Sequence, residues 1–295
     1  MSTTTSPTAP QSAGAPGVHG GSEHRWHNRD HSGGADVPEY VFDNAAVETE
    51  ARFGALEALF DPVTIRQLEQ FVIPGSLCLE VGAGSGSIAL WMSERVGQRG
   101  HVVATDINPR FLEDLAAPNL EVRRHDIVSD PLEENAFDVA HTRLVLLHLP
   151  ERAKAIKKIV QSLRPGGWVV FQEFEARSLW AKPEIYPGEH LLKTQVALQD
   201  VMMSRGANLQ FGRELPAVLE NLGLSEVRAE GYLARCTGGL VWGRLFRANF
   251  QQMRDAILAS GGVSEEEFAA DLRRLDDPTV SWPSQILWSV RARKP

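Results

Sequence analysis

The sequence predicts an α/β fold built on a mostly parallel sheet with helices on both faces. Two observations support this prediction. Between residues 75 and 175, short apolar segments alternate with segments of helical periodicity. This alternation is typical of a parallel sheet whose strands are covered by helices on both faces. Turns rich in Gly and Pro separate the two kinds of segment, as expected for successive β–α–β units.

Five strands and their connecting helices are predicted in this region. The strands lie at about residues 77–82, 101–106, 119–124, 136–141 and 167–174. A helix at 151–163 is typical of the connections, because Ile156, Ile159 and Leu163 recur on one face. The residues RPGG that follow it are a stop signal.

Two different segments precede the first strand. Residues 1–36 are rich in Ser, Thr, Pro, Gly and Ala and offer little to bury, so we expect a disordered tail. Its histidines are irregularly spaced, which favours a polar linker over a metal site. Residues 37–74 are predicted to form a helical lid segment. Within it, Asp61-Pro62 predicts the N-cap and first turn of a second helix, which ends at Pro74-Gly75.

After residue 175 the regular alternation is interrupted by two mainly helical insertions. They are expected at about residues 176–210 and 238–278, around two late strands at about 226–236 and 285–293. Insertions at this place commonly build the substrate-binding lids of open α/β enzymes.

Composition narrows the classes of function. The 295 residues carry a formal net charge of −8, and no convincing basic patch offsets it, so we expect no nucleic-acid partner. Cys78 and Cys236 have neither the spacing of a metal site nor that of a disulfide framework. No apolar run is long enough to span a bilayer and no export signal is recognisable, so the expected location is the cytoplasm. A homo-oligomer formed through the N-terminal helix is possible, although nothing in the sequence requires it.

The most informative motif is EVGAGSG at residues 80–86. It joins a buried strand to a helix, and glycine there permits positive φ and close approach of a ligand to the backbone. The spacing G-x-G-x-G differs from the G-x-G-x-x-G of dinucleotide-binding folds. Glu80 would repel a pyrophosphate but attract an ammonium group, so a zwitterionic ligand is predicted.

Two further carboxylates follow the next two strands. Asp106 ends the second strand, where an acidic side chain can accept hydrogen bonds from ribose hydroxyls. Asp126 follows the third strand and could accept one from an exocyclic amine, while Ile127 covers an aromatic base. Ammonium, ribose and adenine in this order describe S-adenosylmethionine.

These motifs together resemble the class I S-adenosylmethionine-dependent methyltransferases, in the small-molecule branch similar to ubiquinone/menaquinone-biosynthesis and natural-product enzymes. The matching segments are EVGAGSG at 80–86, VVATDIN at 102–108, RRHDIV at 123–128, FDVAHTRLVLLHLP at 137–150 and LRPGGWVVFQE at 163–173. The resemblance implies a Rossmann-like sheet of seven strands in the order 3-2-1-4-5-7-6, with the seventh antiparallel. It also implies a methyltransferase domain over residues 75–295, with S-adenosylhomocysteine as the product of the cofactor.

The resemblance leads to a set of candidate site residues. The cofactor is expected to contact Glu80, Gly82, Ala83, Gly84, Gly86, Asp106, Ile107, Asp126, Ile127 and His141. Methyl transfer from a sulfonium needs in-line positioning, and a base only if the acceptor must lose a proton. Glu173, His148 and His141 are the candidates for that role, each with a structural alternative.

The insertions are expected to bind a small, hydrophobic acceptor, such as a secondary metabolite or quinone-like compound. Candidate contacts are Tyr40, Trp180, Tyr186, Met202, Trp242, Phe246 and Phe250, although these side chains could instead form the core of the insertions. Two other functions stay open: an NAD(P)-dependent oxidoreductase, and a protein that binds S-adenosylmethionine without transferring its methyl group.

Overall fold

The computed structural model of the chain describes residues 1, 42, 48–115, 117–176 and 189–295, with side chains from residue 193 onward in the last range. Residues 2–36 of the tail predicted at 1–36, and the candidate residues Tyr40, Trp180 and Tyr186, lie outside the described residues.

Nine strands are present in the described residues. They are β1 (Leu77–Val81), β2 (His101–Asp106), β3 (Leu120–Arg124), β4 (Phe137–Arg143), β5 (Leu163–Glu175), β6 (Ser225–Tyr232), β7 (Arg235–Thr237), β8 (Ser281–Pro283) and β9 (Ile286–Arg293). Seven of them form one sheet in the order β3-β2-β1-β4-β5-β9-β6. β9 is antiparallel to both of its neighbours, whereas β1 to β5 pair in parallel. Because β9 is the seventh strand of this sheet along the chain, the predicted strand order is confirmed.

Eight α-helices accompany the strands in the same residues. They are α1 (Thr49–Leu68), α2 (Ser87–Val96), α3 (Arg152–Ser162), α4 (Glu189–Ser204), α5 (Phe211–Asn221), α6 (Val241–Gln252), α7 (Arg254–Ala259) and α8 (Glu265–Asp276). The mainly helical insertion predicted at about 238–278 contains three helices, of which α6 and α7 are separated at Met253.

Both faces of the sheet are covered. Neighbouring residues of a strand point to opposite faces, so the clusters in which they lie show what covers each face. Cys78 of β1 packs in one apolar cluster with Ile88 and Met92 of α2. Leu79, the next residue, belongs to the other cluster, which contains Ile156 and other residues of α3. This two-sided burial explains why the central strands are apolar throughout.

The break predicted at Asp61-Pro62 is wrong, since α1 continues through Pro62 as one helix of 20 residues. Proline removes one helical hydrogen bond, but contacts with the body of the protein hold the helix on both sides of it. Phe60 is fully buried, and Asp61 accepts a hydrogen bond from Arg143 at 2.9 Å. Thr64 donates one to Gln172 at 2.6 Å. Tertiary contacts therefore override the local stop signal.

The described part of the chain contains no helix that is both long and apolar enough to cross a membrane. Within the same ranges, no three His, Cys, Asp or Glu side chains come together in a way that could hold a metal ion.

Thr142 in β4 supports a stability prediction. Its side chain is fully buried and the hydroxyl has no hydrogen-bond partner. We expect Thr142→Val to leave the free energy of unfolding unchanged or to raise it by about 1 kcal/mol, because it removes an unsatisfied buried hydroxyl at nearly constant volume. Urea denaturation with an unchanged m value measures the difference.

Thr64→Val is the matched control, because that buried hydroxyl donates to Gln172 and accepts from Arg143. It should lower the free energy of unfolding by about 1–3 kcal/mol. Equal losses in the two variants would show that the Thr142 hydroxyl has a stabilising partner.

Candidate functional site

One cleft lies at the carboxyl ends of β1 to β5 and the loops that follow them. The carboxyl ends of parallel strands meet at the same edge of a sheet, which is where open α/β folds bind ligands. Residues of α1, α4 and α6 complete its walls. The cleft therefore has one side made of strand ends and another made of helices from the insertions and the N-terminal segment.

The glycine turn after β1 forms the floor of the cleft. Gly82 and Gly84 have φ values of 69° and 60°. A Cβ on Gly82 would lie 2.3 Å from Cγ2 of Val145, and one on Gly84 would lie 3.2 Å from the ring of Phe53. Glycine is thus required both by the backbone conformation and by the close approach of the neighbouring loop and of α1. Gly86 precedes α2 with φ of 84° and lies outside the cleft lining.

Glu80 lines the cleft from the end of β1 and is only 4% exposed. Its Oε1 lies 3.6 Å from Nδ1 of His141, whereas its Oε2 has no hydrogen-bond partner. A buried carboxylate oxygen left without a donor is costly. The residue therefore offers an unused acceptor to a positively charged group of a ligand.

Asp106 stands at the end of β2 and also lines the cleft. One oxygen accepts the N–H of Gly84 at 3.0 Å and the other accepts the N–H of Asn108 at 2.9 Å. Burial raises the pKa of this carboxyl and the nearby charge of Glu80 adds to the effect, while the backbone N–H groups act in the opposite direction. Since each carboxylate oxygen can accept two hydrogen bonds, both keep capacity for ligand hydroxyls.

Asp126, Ile107 and Ile127 line the neighbouring part of the cleft. Asp126 accepts hydrogen bonds from the Val128 N–H and the Ser129 hydroxyl, which hold its side chain in place. Ile107 is 54% exposed, so it presents bare apolar surface beside these polar groups. The arrangement offers an apolar surface in the same cleft as a hydrogen-bond acceptor that is held in place.

Helix α1 closes over the glycine turn. Glu57 accepts a hydrogen bond from the hydroxyl of Ser85, and the Phe53 ring lies against Gly84. The Arg52 guanidinium lies 5.0 Å and 4.8 Å from the ring centres of Phe42 and Phe53. Sequence reasoning did not identify these α1 residues, because their helical spacing is the same as that of an ordinary core-facing helix.

Glu173 is placed beneath the loop after β4 and does not line the cleft. Its carboxylate accepts N–H groups from Val145, Leu146 and Leu147 at 3.1, 2.7 and 3.3 Å. Burial raises the pKa of Glu173 to about 8, although these three donors and the charge of Arg152 act against the shift. This placement does not support the predicted contact with an acceptor, and matches the structural alternative instead.

The two candidate histidines differ in location. His141 is fully buried inside the sheet, with its Nε2 3.4 Å from Oε1 of Gln172, and lies outside the cleft lining. His148 does line the cleft. Burial, together with the charges of Arg52 and Arg152, lowers the pKa of His148 to about 3, so the imidazole is neutral at pH 7.

The candidate acceptor contacts of the described insertions also separate into two groups. Met202 and Phe246 line the cleft. Trp242 and Phe250 are buried outside it. The rings of Trp242 and Phe60 meet edge to face with their centres 5.4 Å apart, and the ring of Phe250 contacts that of Phe246. The structure therefore places these two rings in the core of the insertions, the alternative that the sequence left open. It adds Gln195, Asn249 and Gln285 to the lining, which no sequence motif had marked.

Comparison with known proteins shows which family the strands and loops around this cleft are similar to. Residues 79–171 match the family model described as "Methyltransferase domain". Residues 79–171 therefore carry a methyltransferase domain. The matched residues run from β1 to β5 and so include the glycine turn, Asp106 and Asp126.

Named relatives agree with this assignment of the methyltransferase domain. The chain is 32% identical to Methyltransferase str2 of Strobilurus tenacellus over 151 residues, which are 50% of this chain and 54% of that protein. It is 29% identical to the ubiquinone/menaquinone biosynthesis C-methyltransferase UbiE of Pseudomonas putida (strain GB-1) over 164 residues, 49% of this chain and 63% of that protein. The match thus covers less than two thirds of the length of either relative.

A solved structure shares the fold of the methyltransferase domain. Haemonchus contortus Phospholethanolamine N-methyltransferase 2, in complex with phosphomonomethylethanolamine and S-adenosylhomocysteine, superposes with a TM-score of 0.54 at 17% identity. The superposition covers 88% of this chain and 60% of that one. That solved structure is a complex with S-adenosylhomocysteine. In this chain, the glycine turn allows close approach of a ligand to the backbone, and the unused oxygen of Glu80 offers it an acceptor.

Proposed function

We propose that this chain transfers a methyl group from S-adenosylmethionine to a small, mainly apolar metabolite by in-line displacement. The observation that carries the proposal is a single cleft with two chemically different sides. Glu80, Asp106 and Asp126 lie on the strand-end side, while Leu198, Met202, Leu245 and other apolar residues of α4 and α6 lie on the helical side. A cofactor and an apolar acceptor can thereby be held next to each other.

Each strand end is assigned one part of the cofactor. Glu80 receives the ammonium group on its unused oxygen, and Asp106 receives the ribose hydroxyls on the capacity that its N–H donors leave. Asp126 accepts from the exocyclic amine, and Ile107 with Ile127 covers the two sides of the purine. When bound, S-adenosylmethionine supplies a methyl group on a positively charged sulfur.

The protein's contribution to rate is proposed to be mainly positioning. Holding two reactants in attack geometry can contribute about 7–11 kcal/mol. Of the three candidate bases only His148 lines the cleft, and its pKa near 3 makes it a weak base at pH 7. We therefore assign His148 a contact with the acceptor rather than proton removal, and propose an acceptor that is nucleophilic without a strong protein base.

Calorimetry and isotope labelling test this function. S-adenosylhomocysteine should bind at one site per chain while NADH gives no heat, which separates a methyltransferase from an oxidoreductase. Incubation with methyl-labelled cofactor and an extract of the producing cell should then yield a labelled metabolite by mass spectrometry. Binding without any labelled product would instead favour a protein that holds the cofactor without transferring its methyl group.

A further inference from the structure

Helix α4 presents one buried amide to the cleft. Gln195, Leu198 and Met202 follow each other at helical spacing and all three line the cleft. Gln195 is 2% exposed and its Oε1 has no hydrogen-bond partner. Buried polar atoms in proteins are nearly always paired, so an unpaired one at a binding cleft indicates a partner supplied by a ligand.

Gln199, one turn later on α4, provides a comparison. It is also 2% exposed, but its Nε2 donates to the carbonyl of Ala176 at 3.0 Å, and it does not line the cleft. The same helix thus buries one amide that is used by the fold and one that is not. The difference between them is that Gln195 lines the cleft and Gln199 does not.

The surroundings of Gln195 restrict the chemistry of its partner. The cleft residues contributed by α4, α6 and the residue before β9 are uncharged: they are apolar side chains such as Leu198 and Met202, and the amides of Gln195, Asn249 and Gln285. The charged residues of the lining come from α1 and from the strand ends with the loops that follow them. The unpaired Oε1 of Gln195 accepts a hydrogen bond, so an ionised carboxylate, which has no hydrogen to donate, does not satisfy it. An ammonium group would be costly to bury on this helical side of the cleft, because α4, α6 and the residue before β9 contribute no carboxylate to the lining.

We propose that the acceptor is an uncharged, mainly hydrocarbon or aromatic molecule whose hydroxyl group donates a hydrogen bond to the amide of Gln195. This inference rests on the proposed function and narrows its substrate class. Gln195 is then the residue that distinguishes hydroxylated acceptors from their hydroxyl-free analogues, because a site built around a hydrogen bond rejects ligands that lack it.

The experiment uses three probes of one shape and the full chain loaded with S-adenosylhomocysteine. The probes are 1-naphthol, its apolar isostere 1-methylnaphthalene, and the anion 1-naphthoate, measured by equilibrium dialysis. Gln195→Met is compared with Gln199→Met as the matched control. The ratio of the methylnaphthalene to the naphthol dissociation constant should fall about 3- to 10-fold in Gln195→Met and stay unchanged in Gln199→Met.

Thermal unfolding gives a second readout of the same variants. Gln195→Met should keep or raise the melting temperature, because it removes an unpaired polar group, whereas Gln199→Met should lower it. Three outcomes would each overturn the inference. They are an unchanged ratio of dissociation constants in Gln195→Met, tighter binding of 1-naphthoate than of 1-naphthol, and equal destabilisation by the two variants. If the unmodified chain does not bind S-adenosylhomocysteine, that result would instead contradict the proposed function itself.

Discussion

Replacing Glu80 with Gln is expected to weaken binding of S-adenosylhomocysteine by about 10- to 100-fold, the loss of one hydrogen bond to a charged group. The reason is that the unused Oε2 of Glu80 is buried and lines the cleft, where screening of an ammonium–carboxylate contact is weak. The amide keeps the size of the side chain but removes its charge. Isothermal titration calorimetry measures the difference.

A truncated ligand makes the Glu80 prediction specific. 5′-Methylthioadenosine has the ribose and the base but no ammonium group, so Glu80→Gln should leave its affinity unchanged. Asp138→Asn is the control variant, because this carboxylate lies near the opposite end of β4 and accepts from the Leu77 N–H and from Arg164. Equal losses for both ligands in Glu80→Gln would mean general damage to the cleft and would contradict the proposed ammonium contact.

Replacing Glu173 with Ala is expected to lower the free energy of unfolding by about 3–5 kcal/mol, at the upper end of single substitutions. The side chain is fully buried, and its loss leaves three backbone N–H groups of residues 145–147 without their acceptor. Glu173→Gln should cost less, because an amide oxygen still accepts. Guanidinium denaturation at pH 7 compares the variants, and near-equal stability of Glu173→Ala and the unmodified chain would contradict the structural role.

The pKa of Glu173 also predicts how stability depends on pH. The folded-state pKa of about 8 lies above the ordinary 4.5, so the folded state keeps a proton that the unfolded state has lost between these values. Stability therefore falls as pH rises toward 8. His148 acts in the opposite sense at lower pH, since its pKa is lowered from 6.5 to about 3 and the unfolded state takes up a proton below pH 6.5.

Between pH 6.5 and 8 Glu173 changes stability more than His148 does, and the remaining unfolded-state titration of His148 is the same in the unmodified chain and in Glu173→Gln. In that range the unmodified chain should lose about 1–2 kcal/mol more than Glu173→Gln, at up to about 1.4 kcal/mol per pH unit for one proton. Denaturant titrations at the two pH values measure both slopes. Parallel slopes would show that Glu173 is already ionised in the folded protein.

Local signals in the sequence were enough to predict the sheet and the strand ends. The strands β1 and β2 are mostly apolar because both of their faces are buried, and this can be read without knowing the partners, whereas the edge strand β3 is more polar and more exposed. Glu80, Asp106 and Asp126 were identifiable because a strand and the turn after it are set by short-range sequence, and parallel strands bring their carboxyl ends together.

Tertiary structure decided which side of each element a candidate residue faces. Phe246 and Phe250 are four residues apart on α6, yet only Phe246 lines the cleft, because packing of α6 against α1 and α8 sets its rotation. Glu173 and His148 both follow strand-end patterns, but the fold of residues 144–149 buries one carboxylate beneath the loop and leaves the imidazole in the cleft.

The sequence by itself was enough to predict the order of the strands, through a family resemblance. It was also enough to predict the glycine turn and the carboxylates of Glu80, Asp106 and Asp126 at the strand ends, through their spacing. The continuation of α1 through Pro62, the burial of Glu173 and the unpaired amide of Gln195 were decided only by contacts between residues far apart in the chain. The physical reason is that secondary structure follows the period of local residues, whereas the satisfaction of a buried polar group depends on which distant backbone or side chain packs against it.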